Sequence, residues 1–325
     1  MKNHTGIIKT HRQHIRRGGS LWQTLSAFVL AAFFGTSTGF AGIKVESAQD
    51  GSWSNSATWA EPQEYLLNFY TINAGHTVTF EANQPEEPTN ALILVYGHLV
   101  LEAGSSLSTS FLSIANTVND DNEWSLARLT LGSGATLSSI SVFQFLGTIE
   151  MAAGSHISQP SGSITNGIYG WQNLIFDGNG QEGANAWIST PALAMISLAE
   201  IADPDTNLLP GFTGPWNNIE LNGFGEGTWS LISGISTLID YSTMNEGGED
   251  ARGTIDLSLL NMITLSGDSV ANAKAELGMV FDEATDTYTL SVTISAVPEP
   301  AGYATLAGLA LLAWVAMRRY RGVRR

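Results

Sequence analysis

The stretch Leu99-Val-Leu-Glu-Ala-Gly-Ser-Ser-Leu-Ser108 decides the fold, because it occurs four times in variant form. Tyr70-Thr-Ile-Asn-Ala-Gly-His-Thr-Val-Thr79, Leu129-Thr-Leu-Gly-Ser-Gly-Ala-Thr-Leu-Ser138 and Ile149-Glu-Met-Ala-Ala-Gly-Ser-His-Ile-Ser158 follow the same template. Apolar residues alternate with polar ones, a glycine stands after two small or polar residues, and alternation then resumes. Alternation with a period of two is the strand signal, and a glycine between two such runs supplies a corner with positive φ. Each unit therefore reads as strand, corner, strand. One unit cannot bury its apolar side alone, whereas stacked units share a continuous interior of Leu, Ile and Val.

The repeat glycines are Gly75, Gly104, Gly134 and Gly154, so each unit takes 20 to 30 residues. That length predicts an all-β fold, a right-handed parallel β-helix-like solenoid over residues 42–159. The same alternation permits an antiparallel sandwich. From residue 160 the repeat fades into less regular β-rich sequence over 160–297, which either continues the solenoid or forms a second domain. Within it, Leu277 to Ile294 reads as a hairpin turning at Glu283 to Asp286. Thr190 and Pro191 read as an N-cap and first helical position, which predicts a short helix over Ala192 to Ala202.

Charge is sorted by region. The chain has 14 Lys and Arg against 30 Asp and Glu. Residues 42–297 hold 29 of the acids and only Lys44, Arg128, Arg252 and Lys274 as bases. Such a body repels the phosphate backbone, so nucleic acid is excluded as a partner. There is no cysteine, which excludes disulfides, thiolate catalysis and zinc–thiolate sites.

The remaining bases lie at the two ends, beside apolar runs. Residues 1–19 are basic and polar, Leu21 to Gly35 is mostly apolar, and Gly39-Phe40-Ala41 supplies small residues for cleavage after Ala41. This predicts a signal peptide over residues 1–41, its apolar part helical; a permanent N-terminal anchor is the alternative. At the other end Ala301 to Met317 is uncharged, and Arg318, Arg319, Arg321, Arg324 and Arg325 follow. This predicts a transmembrane helix whose arginines stay in the cytoplasm, with the body outside the inner membrane.

With Val297-Pro298-Glu299-Pro300 before that helix, the segment 298–325 resembles the PEP-CTERM sorting signal of Gram-negative bacteria. The resemblance implies that Pro298, Glu299 and Pro300 are read by an exosortase, a membrane transpeptidase that removes the helix. It also implies export machinery as a partner, a transient anchor in the inner membrane, and a final place at the cell surface or in the extracellular matrix. Gly51-Ser-Trp-Ser-Asn-Ser-Ala-Thr-Trp59, Ile72-Asn-Ala-Gly-His-Thr-Val-Thr79 and Gly97-His-Leu-Val-Leu-Glu-Ala-Gly-Ser-Ser-Leu107 resemble the opening of extracellular β-helix proteins, including the glycine-rich domain named for its eight glycines. That resemblance implies that Trp53 and Trp59 cover the open end of the solenoid.

Chemistry-bearing residues are sparse. His76, His98 and His156 fall in different units without acids at matching offsets, and are expected as solvated corner residues. Lyases of acidic sugars need cations against the substrate carboxylate, and the body has four. A glycosidase needs a selected carboxylate pair, and no motif selects one. No cofactor is expected, with calcium as the one candidate. Asp203-Pro-Asp205-Thr-Asn207 and Asp177-Gly-Asn179-Gly-Gln181 place oxygen ligands at alternate positions, yet both lack the glycine and glutamate of an EF-hand loop. Trp124, Trp171, Trp187, Trp216 and Trp229 either pack in the core or stack on sugar rings. The expectation is a non-enzymatic structural or adhesive protein that meets extracellular polysaccharide; a carbohydrate-active enzyme on the same scaffold is the alternative.

Overall fold

The computed structural model describes residues 42–65, 67–83, 91–115, 117–118, 124–145, 147–160, 167–181, 183–195, 216–240, 255–297 and 300–322. The expected signal peptide, with Ala41, lies outside the described residues.

The described chain is overwhelmingly β, and its sheets are mainly parallel. One sheet has eight strands in the order Gly51–Ser52, Thr77–Phe80, His98–Leu101, Arg128–Leu131, Thr148–Met151, Asn173–Asp177, Asn218–Asn222 and Thr264–Ser266. Every pair in it is parallel. The register aligns the apolar positions of the repeat: Val78, Leu99, Leu129, Ile149, Leu174, Ile219 and Leu265 make one line across the sheet. Phe80, Leu101, Leu131, Met151, Phe176 and Leu221 make the next, and all six are buried. Because side chains alternate across a strand, a slip by one residue would turn both lines to solvent. Burial therefore holds the register. The antiparallel sandwich is overturned for the repeats.

A second, larger sheet forks around two long strands, Ser106–Ala115 and Thr136–Phe145, which pair in parallel over nine positions. The first half of Thr136–Phe145 leads on to His156–Ser158, Trp187–Ser189 and Gly227–Ile235, and the second half to Ile168–Tyr169, Ala192–Met195 and Thr237–Asp240. Pairing thus runs through residue 160 without a change of direction.

The repeat glycines sit at the corners. Gly75, Gly104, Gly134 and Gly154 have φ of 82°, 72°, 68° and 78°. Each lies third in a turn closed by an equivalent backbone bond: His76 N to Asn73 O, Ser105 N to Glu102 O, Ala135 N to Gly132 O and Ser155 N to Ala152 O, all 2.9 to 3.0 Å. A type II turn demands positive φ at that position, and glycine takes it without a Cβ clash.

One apolar cluster runs from Trp53 to Ile294. At its first rung Trp53 packs edge-on against Trp59 at 4.8 Å and lies 4.7 Å from Tyr70 and 5.7 Å from Phe80. The Trp59 indole N–H donates to Trp53 O at 2.9 Å. At the far end Ala273–Asp282 and Thr287–Ala296 form the expected hairpin, antiparallel throughout, turning at 283–286 with Asp286 at φ 53°.

The helix expected over Ala192 to Ala202 does not begin at Ala192. Ala192–Met195 is a fully buried strand held between Ile168–Tyr169 and Thr237–Asp240; residues 196–202 lie outside the described residues. Thr190 does not cap a helix: its Oγ1 donates to Ala192 O at 2.9 Å and its N–H to Ser233 O. Pro191 O accepts from Ser236 N and Thr237 N. A short run of buried apolar residues fits helix and strand alike, and two waiting strand edges decided between them.

Pro300–Gly322 is a helix of 23 residues. Its side chains are described from Thr305 to Arg318 and all are exposed. Over the described residues no helix is long and apolar enough to cross a membrane.

Two substitutions separate the roles of line and corner. Leu129→Ala is expected to cost about 3 kcal/mol by leaving a cavity, and Gly134→Val about 1 to 2 kcal/mol by forcing a branched residue into the left-handed region. Urea unfolding of the two variants against the parent measures both.

Candidate functional site

The residues that alternate with the buried lines of the eight-stranded sheet lie on its outer face. The register places His98, Arg128, Thr148, Asn173, Asn218 and Thr264 in one row. Val100, Thr130, Glu150, Ile175, Glu220 and Ser266 form the next row. Asp177 and Asn222 begin a third. Neighbouring strands of a parallel sheet lie about 4.8 Å apart, so successive members of a row are within reach of one another.

Hydrogen bonds join them into two groups. Arg128 pairs with Glu150, and Thr130 Oγ1 donates to Glu150 Oε2 at 3.0 Å. His98 Nε2 lies 2.8 Å from Thr130 Oγ1; with the hydroxyl proton committed to Glu150, the imidazole donates. Higher up, Asn173 Nδ2 donates to Glu220 Oε2 at 3.5 Å, and Asn222 Nδ2 donates to Glu220 Oε1 at 3.1 Å and Asp177 Oδ1 at 3.4 Å. Asn218 Nδ2 donates to Asn173 Oδ1 and to Ser266 Oγ, the latter at 2.9 Å.

Two groups on this face are displaced from their ordinary ionisation. Burial lowers the pKa of His98, the nearby Arg128 lowers it further, and Glu150 opposes both. Burial raises the pKa of Asp177, the bond from Asn222 opposes, and the carboxylates of Glu150, Glu220 and Asp268 add to the rise. The face is thus a row of acceptors and donors held by neighbours, with excess negative charge at its Asp177 end. It can offer hydrogen bonds to a hydroxyl-rich surface.

The other two histidines stand beside the corner glycines as expected, but half-buried against a neighbouring side chain rather than solvated. His76 Nδ1 lies 2.8 Å from Ser47 Oγ, which also accepts from Asn73 N. His156 stacks on Trp187 with ring centres 5.0 Å apart and planes 6° apart. The parallel register sets His156 opposite Trp187 on the neighbouring strand.

Asp203, Asp205 and Asn207 lie outside the described residues. In the other candidate loop the oxygens serve turns: Asn179 Oδ1 accepts from Gln181 N at 3.0 Å, and Asn185 Oδ1 accepts from Asn179 N at 3.1 Å. Among the described residues no group of three or more His, Asp or Glu is placed to hold a metal ion. Of the tryptophans weighed as sugar platforms, Trp171 and Trp216 are buried, Trp229 is half-buried with its indole N–H on Gly225 O, and Trp187 is 39% exposed. The Trp124 side chain lies outside the described residues. Pro298, Glu299, Arg324 and Arg325 lie outside them too, as do the side chains of Pro300, Arg319 and Arg321. Arg318 sits over the Trp314 ring at 4.6 Å.

No protein-family model, curated protein or solved structure matches the chain.

The displaced groups set opposite pH dependences. With its folded pKa below 6.5, His98 binds fewer protons folded than unfolded, so its contribution is complete above pH 6.5 and is lost as pH falls through the window beneath it. His98→Gln is expected to flatten Tm against pH between 7 and 5. For Asp177 the raised pKa makes its contribution fullest below pH 3.8 and progressively lost as pH rises. Asp177→Asn is expected to raise Tm at pH 7, the gain vanishing in acid. Thermal scans across pH check both.

Proposed function

We propose that the parallel stack beginning at residue 42 is a right-handed β-helix that continues past residue 159 as far as Thr264–Ser266 and is closed by the antiparallel hairpin, and that this body is exported, sorted to the cell surface and active as a non-enzymatic structural or adhesive protein of an extracellular polysaccharide matrix. The in-register parallel rows and the recurrent glycine corners support the solenoid. The acidic, hydroxyl- and amide-bearing outer face supports contact with polysaccharide, whose hydroxyls take up both donors and acceptors.

The helix Pro300–Gly322 carries the sorting half of the reading. Leu306, Leu309, Leu311, Leu312, Trp314, Val315 and Met317 are 40 to 67% exposed. An apolar helix with every described side chain exposed is not stable in water, since each such group forfeits its burial energy. At 1.5 Å per residue its 23 residues make about 34 Å, comparable with a bilayer's hydrocarbon core once the uncharged sequence Ala301 to Ala304, beyond the described side chains, is counted with the rest. Arginines on its far side and Pro298-Glu299-Pro300 on its near side then orient it and mark it for an exosortase-like transpeptidase. Removal of the helix frees the body.

Mass spectrometry of the protein recovered from the producing bacterium tests this. The expected mature chain begins after Ala41 and lacks residues 301–325, and Glu299→Ala retains the helix and stays with the membrane fraction. An intact chain dissolved in the cytosol would overturn the reading. Release of reducing sugar from matrix polysaccharide by the purified protein would overturn its non-enzymatic part.

A further inference from the structure

The larger sheet ends in Ala273–Asp282, and among the described residues no strand pairs with its outer edge. Of the usual protections this edge has only charge, from Lys274, Glu276 and Asp282. It is ten residues long, its register against Thr287–Ala296 is unbroken by a bulge, and it contains no proline. Exposed strand edges carry a row of unpaired N–H and C=O groups that template another strand, and natural edges are usually short, bulged or proline-bearing for that reason. Here Val280 and Phe281 are 58% and 46% exposed as well.

The side chains specify which strand fits. Ala273, Ala275, Leu277 and Met279 pack against the core, whereas Lys274, Glu276, Val280 and Asp282 are exposed. A second copy pairing antiparallel must match core-facing with core-facing residues, which requires a twofold axis through a residue position. Placing it at Glu276 sets two Glu276 against each other, and at Met279 it sets Glu276 against Asp282. At Leu277 no charges are matched. An axis through Gly278 sets Lys274 against Asp282 twice, Leu277 against Met279, and Ala275 against the exposed Phe281. It is the central register that opposes unlike charges while covering the exposed ring.

We propose that two copies of this chain associate through this edge, antiparallel and in register about Gly278, so that the larger sheet continues from one copy into the other. Gly278 suits the axis: a Cβ there would meet only Ser291 Oγ at 3.7 Å, so the fold itself leaves the position open. The interaction is isologous and closes as a dimer.

The chain has no cysteine, so a single introduced thiol reports this contact alone. In full-length protein in mild detergent, Gly278→Cys places two thiols across the axis at the Cα spacing of an antiparallel pair, about 4.5 to 5.5 Å, within disulfide range. Glu276→Cys leaves its two thiols about 14 Å apart, four residues out of register. Mild oxidation is expected to give at least about fivefold more covalent dimer from the first variant than from the second. Lys274→Glu in the parent is expected to shift the dimer toward monomer in sedimentation, and adding Asp282→Lys to restore it. Equal cross-linking of the two cysteine variants, or no dimer from Gly278→Cys because another segment of the same chain covers this edge, would overturn the proposal. So would a Lys274→Glu protein as dimeric as the parent.

Discussion

The structure depends on parallel pairing that keeps Leu99, Leu129, Ile149, Leu174 and Ile219 in a single buried line. Parallel strands have no hairpin to set their register, so it is set by what each strand buries. A line of aliphatic side chains one rung apart excludes water along its whole length, and each rung loses its partner surface if a neighbour slips. The glycine corners follow from the same constraint. For the strand before and the strand after to aim inward on every rung, the turn between them must repeat its geometry, and the positive φ at Gly104, Gly134 and Gly154 supplies it.

The same register makes the outer face. Once the buried line is aligned, the residues between its members are aligned too, whether or not they attract. Where they differ in character they join, as Arg128, Thr130 and Glu150 do with His98. Where acids accumulate, as around Asp177, the alignment is maintained against the cost of burial first and of repulsion second, and both raise the pKa of Asp177. Hydrophobic burial therefore dominates on this sheet, and electrostatics is fitted to it.

The ends of the stack obey a different rule, because a terminal rung has a neighbour on one side only. At the first rung aromatic rings cover the exposed interior, with Trp53 lying on Phe80 and Tyr70. At the far end an antiparallel hairpin is laid over Gly227–Ile235, which brings its apolar side to the core but leaves a fresh edge at Ala273–Asp282. A stack of strands can move its open edge but cannot abolish it without closing on itself.

Much of this was readable in the residues themselves. Alternation and the recurrent glycine named the strands and corners of residues 70–158, and the tip at Glu283 to Asp286 named the hairpin, because these depend on side-chain period and backbone freedom alone; the antiparallel alternative for the repeats fell only to the observed pairing. The polar face was partly legible: His98, Arg128 and Thr148 stand at one offset before their glycines, and one more residue of alignment joins them. Past residue 160 the marking glycine is gone, so nothing local assigned Asn173 and Asn218 to the same row, and only the pairing of their strands did so. Ala192–Met195 shows the limit most plainly. Its four apolar residues fit a helix or a strand equally, and the outcome lay with Ile168–Tyr169 and Thr237–Asp240, which are far away in the chain and adjacent only in the folded molecule. Local chemistry determined which segments alternate and where they bend; the tertiary structure alone decided which of them meet, because a parallel partner is chosen by burial across the whole stack.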